Sequence, residues 1–317
     1  MDKNIVFVIN TSEITAGTRG ASLGPNAIMT AARKKGSFIF GEHPTEKLEC
    51  VNDLLDKASP HQYAKRIDGL VNVYEMLDSK VSSLLMNNKF PLILAADHGS
   101  AGGTIAGIKS AFPNKRLGVV WIDAHADIHT PFTTPSGNMH GMPLATALGI
   151  DNLECKTNEV PQDTLSFWNQ LKHIGGISPK ISSEDLVYIA VRDTEEQEDT
   201  VLSRLNIRNH KVADVRTKGM SEILKAIDEQ LKDCDCIYVS FDVDSMDPDL
   251  TSHGTGTPVK DGLTPEEAKE ILTHFAKMDK TVCMEIVEVN PCLDEKKNTM
   301  AEITLDLVES ITETLKK

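Results

Sequence analysis

The 317-residue chain has no uninterrupted apolar run near the roughly 18 residues that a membrane-spanning helix needs, and its N-terminal stretch NIVFVIN is too short for a secretory signal. No membrane association is expected, and the chain reads as cytoplasmic. Positive charge is also scarce: 33 Lys and Arg face 47 Asp and Glu, a formal net charge of −14. Polyanions are bound by clustered cations that displace counterions, so nucleic acid and anionic lipid are excluded as expected partners. Cysteines are few and dispersed (Cys50, Cys155, Cys234, Cys236, Cys283 and Cys292). Their one close pair is C-x-C within an apolar run, which is neither a zinc ribbon nor a C-x-x-C redox pair; reduced, structural thiols are expected. Repeats, low-complexity tracts and Pro/Gly/Ser linkers are missing too. The expectation is a single domain over residues 1–317.

What is present is 40% hydrophobic residues, enough to bury a large core. They fall into short β-branched runs at 4–10, 90–96, 117–123, 185–191, 236–242 and 282–289. Between these runs, segments 61–87, 102–112, 221–232, 265–278 and 301–315 carry apolar residues at spacings of three and four. Strands that are apolar throughout, alternating with amphipathic helices, predict an α/β fold: a three-layer αβα architecture with a mostly parallel central sheet. The irregular stretches are 11–26, 128–143, 151–183 and 245–264. In a parallel sheet, ligands bind at the carboxyl ends of strands, so the loops that follow strands are where chemistry is expected.

The strand ends repeat one chemical type. The run at 90–96 leads into Asp97-His98, the run at 117–122 into Asp123-Ala124-His125-Ala126-Asp127, and the run at 236–241 into Asp242-Val243-Asp244. Polar residues two apart in extended chain point to the same side. Asp123, Asp127, Asp242 and Asp244 gathered with His98 and His125 would repel one another unless cations compensated. Two divalent ions balance four carboxylates, and oxygen-dominated ligation with two imidazoles favours a hard ion such as Mn²⁺. Water bridging two such ions titrates near neutrality and becomes a hydroxide nucleophile. An Asp or His alone at a strand end is more often a turn former; the combination argues otherwise.

These motifs, with GTRGASLGPNAI at 17–28, SFDVDSMDP at 240–248 and EVNP at 288–291, resemble the arginase, or ureohydrolase, family. The resemblance implies binuclear manganese hydrolases that split guanidino groups into urea and an amine. Carried over by motif, the ligands of the two Mn²⁺ are His98, Asp123, His125, Asp127, Asp242 and Asp244. The loop IHTPFTTPSGNMHGMP at 128–143 is similar to that of arginases acting on L-arginine. By that similarity Thr134, Ser136 and Asn138 bind the α-carboxylate, with His129 beside them, and His140 gives a proton to the leaving ornithine amine. The resemblance further implies that Glu195 and Glu198 face the α-ammonium with Asp193 in support, that Glu288 faces the guanidinium, and that Thr257 lies near the metal-bound oxygen. Homo-oligomers, trimers or hexamers, are the family's implied assembly. Alternatives within the family are agmatinase, guanidinobutyrase and formimidoylglutamase, and outside catalysis a metal-binding relative. Departures from the family pattern are Ala95-Ala96 for a glycine pair, Gly99 with the serine displaced to Ser100, His129 for an asparagine, Glu195 for an aspartate, and one extra residue near His253.

Overall fold

The computed structural model describes residues 3–316. Its strands are β1 (Asn4–Asn10), β2 (Thr45–Lys47), β3 (Lys89–Ala95), β4 (Leu117–Ile122), β5 (Leu186–Ile189), β6 (Arg208–His210), β7 (Cys236–Asp242) and β8 (Thr281–Val287). They form one sheet in the order β2-β1-β3-β8-β7-β4-β5-β6, and every pairing is parallel. The fold is thus the expected α/β class, with a sheet that is wholly rather than mostly parallel among the described residues.

Parallel neighbours need crossovers, and helices supply most of them. These are α1 (Gly24–Lys35), α2 (Ile39–Glu42), α3 (Ile67–Met86), α4 (Ala101–Ala111), α5 (Pro143–Leu148), α6 (Gln162–His173), α7 (Glu196–Leu205), α8 (Val212–Lys218), α9 (Met220–Gln230), α10 (Pro265–Ala276) and α11 (Thr299–Leu315). The two-residue period of the strands divides their side chains between two cores. Along β4, Val120 and Ile122 pack with residues of α1, α8, α9, α10 and α11, while Val119 and Trp121 pack with α3, α4, α5 and α6. Both faces are covered, which is why the strands lack polar alternation. No helix among the described residues is long and apolar enough to cross a membrane.

Several elements differ from expectation. The helical pattern from 61 starts at Ile67, because Arg66 takes a left-handed φ of 60°. The stretch 151–183 contains α6, whose inward Trp168 and Leu171 are outnumbered by polar residues. Edge strands β2 and β6, TEK and RNH, contain no apolar residue, since an edge buries little and needs none. Of the six cysteines, all free, Cys234, Cys236 and Cys283 fill the core, whereas Cys50 and Cys292 are exposed.

Candidate metal centre and active site

Strands β3, β8, β7 and β4 are consecutive in the sheet, so their carboxyl ends bring together residues far apart in the chain. The His98 amide, just past β3, donates to Glu288 Oε1, just past β8, at 3.0 Å. His98 Nδ1 lies 2.9 Å from Asp123 Oδ2, 3.2 Å from Asp127 Oδ2 and 3.3 Å from Asp242 Oδ2. It is buried, and none of the three satisfies it in hydrogen-bond geometry. His125 Nδ1 lies 3.1 Å from Asp244 Oδ2 and 3.5 Å from Asp123 Oδ1. Two potential ligand groups result, His98 with Asp123 and Asp127, and His125 with Asp123 and Asp244; within each group the ligand atoms lie within 4.8 Å of one another. Asp123 belongs to both groups and would serve both if each held a cation. The buried, unpartnered imidazole nitrogen and this hard, oxygen-rich donor set fit divalent cations.

The convergence comes from turns rather than from extended chain. Asp123 Oδ1 accepts from the His125 amide at 2.7 Å, and Asp242 Oδ1 accepts from the Asp244 amide at 2.8 Å. Each is a side-chain-to-backbone turn two residues long, for which Asp is suited. The Ala124 amide donates to Asp244 Oδ1 at 3.2 Å and joins the two turns. Asp127 and Glu288 hold left-handed backbones, φ 49° and 69°, a strain of about 1–2 kcal/mol for such residues, stored at the ends of two strand motifs.

Burial and crowding set the electrostatics. Burial, with the Asp123 charge adding to it, pushes Asp127 up to about 6. Burial, with Asp244 and Asp123 nearby, drives Asp242 well above the carboxylate range. Burial lifts Asp244 too, despite His125. For Asp123, burial is outweighed by His125 and His98, which hold it below the usual range. Burial pulls both imidazoles down, but the surrounding carboxylates win and hold His98 and His125 well above the histidine range. The cluster therefore retains protons where cations are lacking, and divalent ions would take their place.

Above the cluster lies a cavity of about 260 Å³, lined by His98, His125, Asp127, Asp242, Asp244, His129, Thr134, Ser136, Asn138, His140, Asp193, Glu195, Glu198 and Thr257, among others. Thr134 Oγ1 accepts from the Gly137 amide at 3.0 Å, and Ser136 Oγ accepts from the Asn138 amide at 3.1 Å. Both hydroxyls hold the turn while their own hydrogens are left to donate. The buried ring of His129 places Nδ1 3.0 Å from Thr133 Oγ1 and Nε2 2.9 Å from Glu195 Oε2. Glu195 and Glu198 form a reciprocal cap at the start of α7, with Glu198 Oε2 accepting from the Glu195 amide at 3.2 Å. Burial pushes Glu198 up to about 7. The acidic run thus caps α7, and its Glu195 and Glu198 also line the cavity.

Three more of the expected site residues stand beside proposed ligands or cavity side chains. Asp193 puts its Oδ2 3.7 Å from His125 Nε2. Thr257 donates to Asp244 Oδ2 at 3.0 Å. Glu288 is buried, its Oε1 3.7 Å from His140 Nδ1. Burial lowers His140, but Glu288 outweighs it and raises the ring's pKa above the ordinary histidine value.

Motif reading missed the supports. Trp121 Nε1 donates to Asp123 Oδ2 at 3.0 Å, and Ser240 Oγ lies 2.7 Å from His98 Nε2. Each stands two residues before a ligand, so strand periodicity alone was the signal. Arg192 donates to the carbonyl oxygens of Asp244 and Val259 at 2.9 and 2.6 Å, clamping the 244–259 loop; nothing local marked it. The departures are also accommodated. Ala95 and Ala96 are buried without left-handed backbone. At Gly99 a Cβ would stand 2.4 Å from Thr15 Oγ1, so the hydroxyl moves to Ser100, which donates to the Asp97 carbonyl at 3.0 Å.

A wholly parallel sheet with a carboxylate and imidazole cluster able to hold cations at its strand ends defines a class of α/β enzyme. Comparison with known proteins narrows it. The Arginase family model matches residues 3–313. The arginase of Brevibacillus brevis is 33% identical over 98% of both chains. The native structure of the Bacillus caldovelox arginase is similar with a TM-score of 0.81, 31% identity and 98% of both chains covered. An Entamoeba histolytica arginase structure in complex with L-ornithine gives a TM-score of 0.80 at 27% identity, covering 98% of this chain and 99% of that one. The chain belongs to the Arginase family and is an arginase-type hydrolase.

Proposed function

We propose that this protein hydrolyses the guanidino group of L-arginine to urea and L-ornithine and uses two Mn²⁺ per chain. The observation that carries the proposal is the unpartnered His98 Nδ1 among three carboxylates at the floor of a cavity whose upper wall is suited to an amino acid. His98, Asp123, His125, Asp127, Asp242 and Asp244 are the proposed metal ligands. Bound there, two divalent cations supply the charge that brings water to ionise near neutral pH.

The remaining work falls to side chains of the cavity. Thr134, Ser136 and Asn138 offer neutral donors to the substrate carboxylate, with His129 Nε2 beside them. Glu195 and Glu198 receive the ammonium, and Thr257 and Asp193 hold Asp244 and His125 in place. The guanidinium then points to the floor, near Asp127, which orients the attacking water by accepting a hydrogen bond. His140, whose affinity for a proton Glu288 raises, gives its proton to the departing amine. The E. histolytica relative's complex with ornithine, the product this reaction requires, supports the choice of substrate.

The same reading includes one domain over residues 1–317, a homo-oligomer (trimer or hexamer) and a cytoplasmic location. The deciding experiment is urea release by the manganese-loaded protein across a panel of arginine, agmatine, guanidinobutyrate and formimidoylglutamate. Turnover of arginine is expected to dominate. Turnover of another member alone moves the assignment within the family, and no turnover at all removes it.

A further inference from the structure

Parallel register sets four polar residues in one row across the sheet: Tyr188 beside Trp121, Trp121 beside Ser240, and Ser240 beside Glu285. Three of them touch the ligand loops directly. The Tyr188 hydroxyl donates to the Ala126 carbonyl at 2.7 Å, Trp121 donates to Asp123, and Ser240 meets His98 Nε2. Glu285 does not line the cavity, yet it is only 1% exposed and forms no salt bridge among the described residues. A buried carboxylate without a counter-charge is costly, so its hydrogen bonds should matter. Glu285 Oε2 accepts a short hydrogen bond from the Tyr238 hydroxyl, and Oε1 lies 3.5 Å from Ser100 Oγ. Tyr238 stands two residues before Ser240 on the same face of β7, so the two side chains are neighbours on that face.

We propose that Tyr238 and Glu285 are positioning residues of the metal centre, acting through Ser240 to fix which nitrogen of His98 faces the cations. The Tyr238 hydroxyl donates to Glu285 Oε2. The tyrosine oxygen is then free to take the Ser240 hydrogen, and the Ser240 oxygen takes Nε2–H of His98. A neutral imidazole carries one N–H. With it held on Nε2, Nδ1 presents its lone pair to the space between Asp123, Asp127 and Asp242. Ligand histidines are commonly oriented through their other nitrogen; here the orientation is set two hydrogen bonds further back, on the neighbouring strand. The inference rests on the manganese reading and adds residues to it.

The test compares Mn²⁺ affinity, from the paramagnetic resonance of free Mn²⁺ in titrations of metal-stripped protein, with the melting temperature of the same metal-free samples. Tyr238→Phe, Ser240→Ala and Glu285→Leu are each expected to weaken Mn²⁺ binding roughly 10- to 100-fold. Glu285→Gln keeps the acceptor and is expected to retain affinity within a few-fold. Because the effect passes through Ser240, adding Tyr238→Phe to Ser240→Ala should weaken binding no further. Unchanged affinity in folded Tyr238→Phe overturns the proposal, as does an additive double variant. If Glu285→Leu does not fold, the Tyr238 and Ser240 cycle decides alone. Failure of the unaltered protein to bind Mn²⁺ sinks the manganese reading and this inference with it, whereas normal binding by the unaltered protein and indifferent variants sinks this inference only.

Discussion

Trp121 lies flat on His98, with ring centroids 3.9 Å apart and planes 4° from parallel, while its indole Nε1 donates to Asp123 Oδ2 at 3.0 Å. One side chain therefore fixes the plane of one proposed ligand and an oxygen of another. Trp121→Phe preserves an aromatic surface but removes the donor, leaving a buried carboxylate oxygen short of a partner at a cost of about 1–3 kcal/mol. The expected outcome is a lower melting temperature and Mn²⁺ affinity reduced roughly 10-fold. Calorimetric titration with affinity equal to the unaltered protein's would contradict it.

Metal-free protein should lose stability as pH rises. Burial, with Glu288 adding to it, pushes Asp97 up to about 7; burial lifts Glu198 to about 7 and Asp127 to about 6. Unfolded carboxyls titrate near ~4, so between about pH 4 and 7 the folded chain holds protons that the unfolded chain has released. Stability must fall across that window. His98 and His125, held above the ordinary histidine value, act with the same sign at higher pH, while Asp123, held low, opposes by adding stability above the unfolded carboxyl pKa. Mn²⁺ replaces the retained protons. Scanning calorimetry should show a stabilisation by Mn²⁺ that is larger at pH 8 than at pH 5; a constant or shrinking increment argues against the cluster as metal site.

Burial lowers the pKa of His129, and Glu195 only partly opposes this. The ring is cationic below that lowered value, where it holds a carboxylate best. KM for arginine is therefore expected to rise with pH below about 6.5, the ordinary histidine pKa, and to be flat above it. His129→Asn should remove the rise and leave KM at pH 8 within a few-fold. Michaelis profiles at saturating Mn²⁺ check this, and an identical pH profile in the variant would dispose of the role.

Gly99 and Thr15 are matched by size. A Cβ at 99 meets Thr15 Oγ1 at 2.4 Å, and Thr15 links two site residues: its amide donates to Asp97 Oδ2 at 2.9 Å and its carbonyl accepts from the His140 amide at 3.3 Å. Gly99→Ser is expected to destabilise by about 1–3 kcal/mol through overpacking and to slow turnover. Thr15→Gly in the same chain should restore part of both. Denaturant melts and urea assays of the single and double variants measure it; the absence of any rescue would show that the clash lies elsewhere.

The chain by itself determined the class of the sheet and the kind of residue delivered at its strand ends. An apolar run with helices on either side, or an Asp-x-His-x-Asp segment, carries its chemistry within a few neighbouring positions, where periodicity and side-chain type can be read directly. Short edge strands such as β6 escaped because a strand that buries little leaves no apolar pattern. Only the tertiary structure decided what supports the ligands. It set β3, β8, β7 and β4 side by side, folded the two aspartate motifs into turns and aligned Trp121, Ser240 and Glu285 in one row. Those relations depend on register between strands more than 40 residues apart. A local pattern holds no record of register, because hydrogen bonding and packing between distant strands settle it together as the sheet forms.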